Sequence, residues 1–150
     1  MNAFDLKIRY PHQINRNDAD HIGIFNAEQI MNKFDEIGWR QLMVRQLQLD
    51  GASTCFIVRD EYTEQTLRIS IDAFAEAKQL EFKIDSDIPV LIPKKDLFGL
   101  VTRKTKETIA FKQLTLSRAK EYLVLFLNRD SIVLEELYKK SLNKSIQTAS

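Results

Sequence analysis

Three stretches of the chain alternate apolar and polar residues: Phe4-Asp5-Leu6-Lys7-Ile8-Arg9-Tyr10, Thr66-Leu67-Arg68-Ile69-Ser70-Ile71 and Gln79-Leu80-Glu81-Phe82-Lys83-Ile84. Successive side chains of a strand point to opposite faces, so each stretch predicts a strand with one face buried and one wet. Thr54 to Arg59, β-branched and aromatic, predicts a fourth strand. The connectors Asp60-Glu61-Tyr62-Thr63-Glu64 and Asp72 to Lys78 are short and polar, as hairpin loops are. Half-buried strands joined this way pair antiparallel. Pro89 and Pro93 bracket Val90-Leu91-Ile92, and the meander is expected to end there because proline donates nothing to a ladder.

A different period runs from Ala27 to Leu49. Ala27, Ile30, Met31, Phe34, Ile37 and Leu42 recur at three- and four-residue steps, the core stripe of one long helix. Asn26 and Gln29 have the spacing of a capping box, and Gly51 suits the left-handed residue that closes a helix. Trp39 and Met43 fall beside the stripe and are expected to widen the core. Gly38, costly inside a helix, is expected to admit a neighbouring element.

The last third is less sharply patterned. Lys95 to Lys104 reads as a short helix, and Thr108 to Leu114 fits strand or helix equally. Ser117 can cap a helix through Asn128, although the apolar run Tyr122 to Leu127 also fits a buried strand. A final helix from Ser131 to about Leu142 precedes a polar tail, Ser145 to Ser150, expected to fray. The expected fold is therefore α+β: a single domain over residues 1–150. An antiparallel sheet of about four to five strands is packed by a long N-terminal helix and C-terminal helices.

Composition narrows the class. The 150 residues are 44% hydrophobic and 29% charged, as in a soluble globular protein able to bury its own core. No apolar run approaches the roughly 20 residues of a membrane span, and the N-terminus lacks a basic leader. The lone Cys55 excludes an internal disulfide. A reducing, cytoplasmic location without membrane contact is expected.

The net charge of +1 conceals an asymmetry. Residues 1–93 carry ten basic against fifteen acidic residues, and residues 94–120 carry eight against two. Such segregation either marks a charged partner or cancels internally when the two regions face each other.

Candidate chemistry is sparse. His21 lies near Asp18 and Asp20, but the spacing matches no zinc or calcium signature, so a polar turn before the helix is expected instead of a metal site. Cys55 sits mid-strand, where a thiol behaves as a small apolar residue. There is no glycine-rich phosphate loop, and the carboxylate pairs Asp60/Glu61 and Asp85/Asp87 read as solvated loops. Neither a cofactor nor a catalytic motif is indicated.

The leading expectation is a non-enzymatic protein-binding domain of the inhibitor or immunity type. It would dock a basic partner through Asp60, Glu61, Glu64, Asp72 and Glu76. The first alternative is a nucleic-acid-binding regulator using Lys94, Lys95, Arg103, Lys104, Lys106, Lys112, Arg118 and Lys120. The second is a small-ligand-binding domain with its pocket between sheet and helix. Homo-oligomerisation is left open.

Overall fold

The computed structural model of the protein describes residues 3–15, 17–49, 53–72, 79–95 and 102–148. Among them it is α+β, with one six-stranded antiparallel sheet and four helices. The elements run β1 (Phe4–Arg9), β2 (Asp20–Phe25), α1 (Ala27–Glu36), α2 (Trp39–Leu49), β3 (Cys55–Asp60), β4 (Thr66–Ile71), β5 (Phe82–Lys95), β6 (Thr102–Leu114), α3 (Leu116–Leu127) and α4 (Ser131–Thr148). The strand order is β2-β1-β3-β4-β5-β6.

The expected four to five strands become six, and each addition has a physical reason. The segment before the first helix is not a polar turn but β2, an edge strand paired with β1. An edge strand with no deeply buried face loses the strict alternation by which β1 and β4 are recognised. Gly23 within it has φ +148°, a value open to glycine alone, beside an irregularity in the register at Leu6/Lys7. Thr108 to Leu114 resolves as strand, the second half of β6.

The prolines do not end the meander. β5 runs through Pro89 and Pro93, because β4 pairs with it only as far as Ser86. Beyond that point β5 pairs with β6 alone, and a proline missing its N–H is tolerated on the free edge. Ser86 stitches the register irregularity here, its hydroxyl donating to the Thr66 carbonyl at 2.6 Å and accepting from Ile88 N–H at 3.3 Å. Lys95 and residues 102–104, expected in a short helix, are strand, while 96–101 lie outside the described residues.

The single long helix is two. The Asn26–Gln29 capping box forms as expected, at 2.8 and 3.0 Å, but α1 stops where Ile37 turns extended. Gly38 does not admit another element; a Cβ there would meet the side chain of Gln41 in the next helix. The break re-aims the chain so that Trp39 and Met43 enter the core, as expected. α3 is capped by Thr115, two residues before the expected Ser117, and α4 extends past Leu142 to Thr148.

One core joins helices to sheet. Phe34 of α1 meets Phe56 edge-on at 5.4 Å, and Trp39 of α2 meets Phe82 edge-on at 5.1 Å. Tyr122 of α3 stacks on Phe111 at 4.3 Å, and Tyr138 of α4 meets the same ring at 6.1 Å. Such pairs add about 0.5–1.5 kcal/mol each beyond the area they bury. Phe4, Leu6 and Ile8 of β1 lie on this covered face, while Asp5, Lys7 and Arg9 lie on the other.

Candidate functional site

The break at Ile37–Gly38 leaves a groove of about 730 Å³ between α1–α2 and the β1–β2 hairpin. Its apolar surface comes from Ile8, Ile22, Ile37 and Leu42, with Val44 half exposed at its margin. Tyr10 closes one side, held by its N–H donating to Gln13 Oε1 at 2.8 Å and stacked on His12. Polar groups line the rest: Lys33 and Glu36 from α1, Gln41, Arg45 and Gln48 from α2. Glu36 and Arg45 make no ion pair among the described residues, and the Lys33 ammonium lies 5.5 Å from the Phe25 ring centroid. A second cavity, about 820 Å³, also reaches Ile37, Gly38 and Gln41 and is bounded by Trp39, Leu80 and the start of α3. The buried Trp39 Nε1–H finds no acceptor among the described residues.

The acidic residues expected to form one surface separate. Asp60 is 1% exposed and faces inward, where its carboxylate receives Arg129 Nε at 2.8 Å and Nη2 at 3.1 Å. It also accepts from the backbone of Tyr62 at 2.9 Å. Burial alone would raise the Asp60 pKa, but the Arg129 guanidinium and the Tyr62 N–H outweigh it and hold the carboxyl below its ordinary range. Asp60 is thus a structural tie between the β3–β4 hairpin and the end of α3, withdrawn from any docking surface. Glu61 remains on the surface and receives Arg59 Nη1 at 2.8 Å, with Glu64 4.0 Å from the same guanidinium. Asp72 is half buried at the end of β4, and Glu76 lies outside the described residues.

The basic residues divide too. In the β5–β6 ribbon, Lys94 lies opposite Arg103, Lys95 opposite Thr102, Pro93 opposite Lys104 and Leu91 opposite Lys106. Five cations therefore share one two-stranded arm. Lys112 is exposed further along β6, Arg118 pairs with Glu121 at 3.2 Å, and Lys120 pairs with Asp35 at 2.8 Å. The last contact is the internal cancellation that the charge asymmetry allowed, and among the described residues it involves one residue of the stretch.

His21 Nε2 lies 2.5 Å from Asp5 Oδ1, and Asp20 receives Gln13 Nε2 at 3.0 Å. Among the described residues no group of three His, Cys, Asp or Glu side chains is arranged to hold a metal. Cys55 is buried, and burial pushes its thiol pKa up despite the hydroxyl of Ser70 donating to Sγ at 3.3 Å. No described helix is long and apolar enough to cross a membrane.

No family model, curated protein or solved structure matches the chain. Function must come from its own geometry.

Sequence reasoning missed the groove residues Lys33, Gln41 and Arg45, and also Arg129. The period of α1 and α2 places Lys33 and Arg45 on polar faces, but only the break at Gly38 turns those faces toward β1. No local signal marks Arg129; its partner is 69 residues away.

Proposed function

We propose that the protein binds a small amphipathic molecule in the groove between α1–α2 and the β1–β2 hairpin. The carrying observation is the groove itself, at about 730 Å³ within the range of small-molecule sites. The apolar part of the ligand would lie against Ile8, Ile22, Ile37 and Leu42, while Lys33 and Arg45 would favour a negatively charged end. This reading contains a binding step and no catalytic one.

The test is calorimetric titration with dodecanoate below its micellar concentration, backed by backbone-amide NMR. Binding with shifts confined to the amides of the groove is expected. Val44→Trp, which fills the margin without touching the buried core, should weaken binding about tenfold, the equivalent of 1.4 kcal/mol. Equal affinity in Val44→Trp and Ile22→Trp, or shifts elsewhere, would overturn the reading.

A second reading is supported by the ribbon. A two-stranded β-ribbon fits the major groove of duplex DNA, and its cations would neutralise phosphates. About four neutralised phosphates would give a log–log salt slope near −4. Binding to a 20-base-pair duplex on the order of that slope, abolished by Lys94→Gln with Lys104→Gln and unaffected by Lys120→Gln, is the expected result. An acidic docking surface for a basic protein, the leading expectation from sequence, would have to use Glu61, Glu64, Asp72 and Glu76 without Asp60.

A further inference from the structure

We infer that the open face of the sheet carries a separate site for a small organic phosphate. Strand register sets Arg9 of β1 opposite Cys55 of β3, Cys55 opposite Ser70 of β4, and Ser70 opposite Lys83 of β5. Opposite residues of an antiparallel pair point to the same face, so these four form one row across the sheet. One step along the strands, Arg68 lies opposite both Ile57 and Asp85. All seven side chains line a concavity of about 500 Å³ on the face that no described helix covers.

The charge is unbalanced in a way that favours an anion. Arg68 and Asp85 neutralise each other, with Nη1 donating to Oδ1 at 2.9 Å. Arg9 and Lys83 are left over. Arg9 is held in place by its Nε donating to the Ser53 carbonyl at 3.1 Å, and its terminal N–H groups, without a partner among the described residues, can fork onto a phosphate. Lys83 has no acidic partner among the described residues and supplies a point charge from the opposite end of the row.

Two groups lie between these cations. The Ser70 hydroxyl donates to Cys55 Sγ and would turn that one proton onto a bound phosphate, and the Cys55 thiol is held neutral by burial and therefore does not repel an anion. The backbones of Arg9 and Lys83 are three strand spacings apart, roughly 14 Å, a gap that their long side chains close from both ends. The concavity is far larger than one phosphate, and Ile57 gives it an apolar portion, so the phosphate carries an organic group. Neighbouring residues of β1 separate this site from the amphipathic groove: Ile8 faces the groove and Arg9 faces the concavity.

The experiment is a backbone-amide NMR titration of the full chain with adenosine monophosphate, glycerol 3-phosphate and inorganic phosphate. Shifts at Arg9, Cys55, Ser70 and Lys83 are expected, with the organic phosphates binding more tightly than inorganic phosphate. Lys83→Gln, a change outside the core, should weaken binding about tenfold, as loss of one charge-assisted contact does. Lys112→Gln, outside the concavity, should leave it unchanged. Absence of shifts at millimolar ligand, equal weakening by the two substitutions, or shifts on the β5–β6 ribbon instead would overturn the inference. Saturating dodecanoate should not displace these ligands, so failure of the groove reading leaves this one standing and the reverse.

Discussion

The two faces of the sheet are built from the same strands and have little else in common. On the covered face, Phe4, Leu6 and Ile8 alternate into a core with Phe56, Ile69, Phe82 and Phe111, and every helix adds a ring or an aliphatic chain to it. On the open face, Asp5, Lys7, Arg9, Arg59, Arg68 and Lys83 lie among Cys55, Ile57 and Ser70. The covered face excludes water, and that burial supplies the stability. Exposed ion pairs such as Arg68–Asp85 contribute little, which leaves the open face free to keep charges for a ligand. A domain that stabilises itself from one side of its sheet can place recognition on the other side, or on the groove at the boundary.

Phe56 and Ile57, adjacent in β3, put this contrast to its hardest test. Phe56→Ala opens a hole beneath Phe34 and Trp39 and should cost about 3–5 kcal/mol by urea denaturation. A loss no greater than that of Ile57→Ala would break the distinction between the faces.

Among the described residues Asp60 is the charged one buried on the covered side. Asp60→Ala should cost about 2–3 kcal/mol, below the figure for a fully buried pair because the Arg129 side chain is a third exposed. The sign of the pH dependence follows from its depressed pKa. The charge contributes fully above the unfolded carboxyl value near 3.9, and its contribution fades as pH falls through the lower folded value. Denaturation of wild type and Asp60→Asn from pH 7 to pH 2 should therefore show a constant gap down to about pH 4 that closes below it.

At the sheet edge, Gly23→Ala should cost about 1–2 kcal/mol, since φ +148° is strained for alanine and the new Cβ meets the Phe25 ring at 3.1 Å. The smallest effect belongs to the open face: Arg68→Ala should change stability by less than about 1 kcal/mol. Cys55 sharpens the same comparison. Although on the open face, its thiol is buried, so alkylation by iodoacetamide at neutral pH should be slow in the native protein and fast in urea.

Much of this contrast is legible residue by residue. The alternation of β1, β4 and the start of β5 assigns each side chain to a face, β3 is marked by its β-branched and aromatic content, and the capping box marks the start of α1. The burial of Trp39 and Met43 was also readable, from their position beside the helical stripe. β2 was not legible, because an edge strand is only half buried on either side. The continuation of β5 through two prolines depends on β4 ending at Ser86, a property of the neighbour and not of β5 itself. The acidic residues near Asp60 looked like one patch because sequence counts charges without showing which of them face Arg129.

What the sequence by itself determined is periodic: the strands β1, β4 and the start of β5, the helical stripe that begins at Asn26, and which face of each is apolar, since those patterns repeat over two to four residues. What only the tertiary structure decided is juxtaposition. The break that turns α2 toward β1, the row from Arg9 to Lys83, and the Asp60–Arg129 tie all join residues far apart in the chain. Strand register and helix docking set those meetings. Both are fixed by how the whole core packs, and local periodicity holds no record of that.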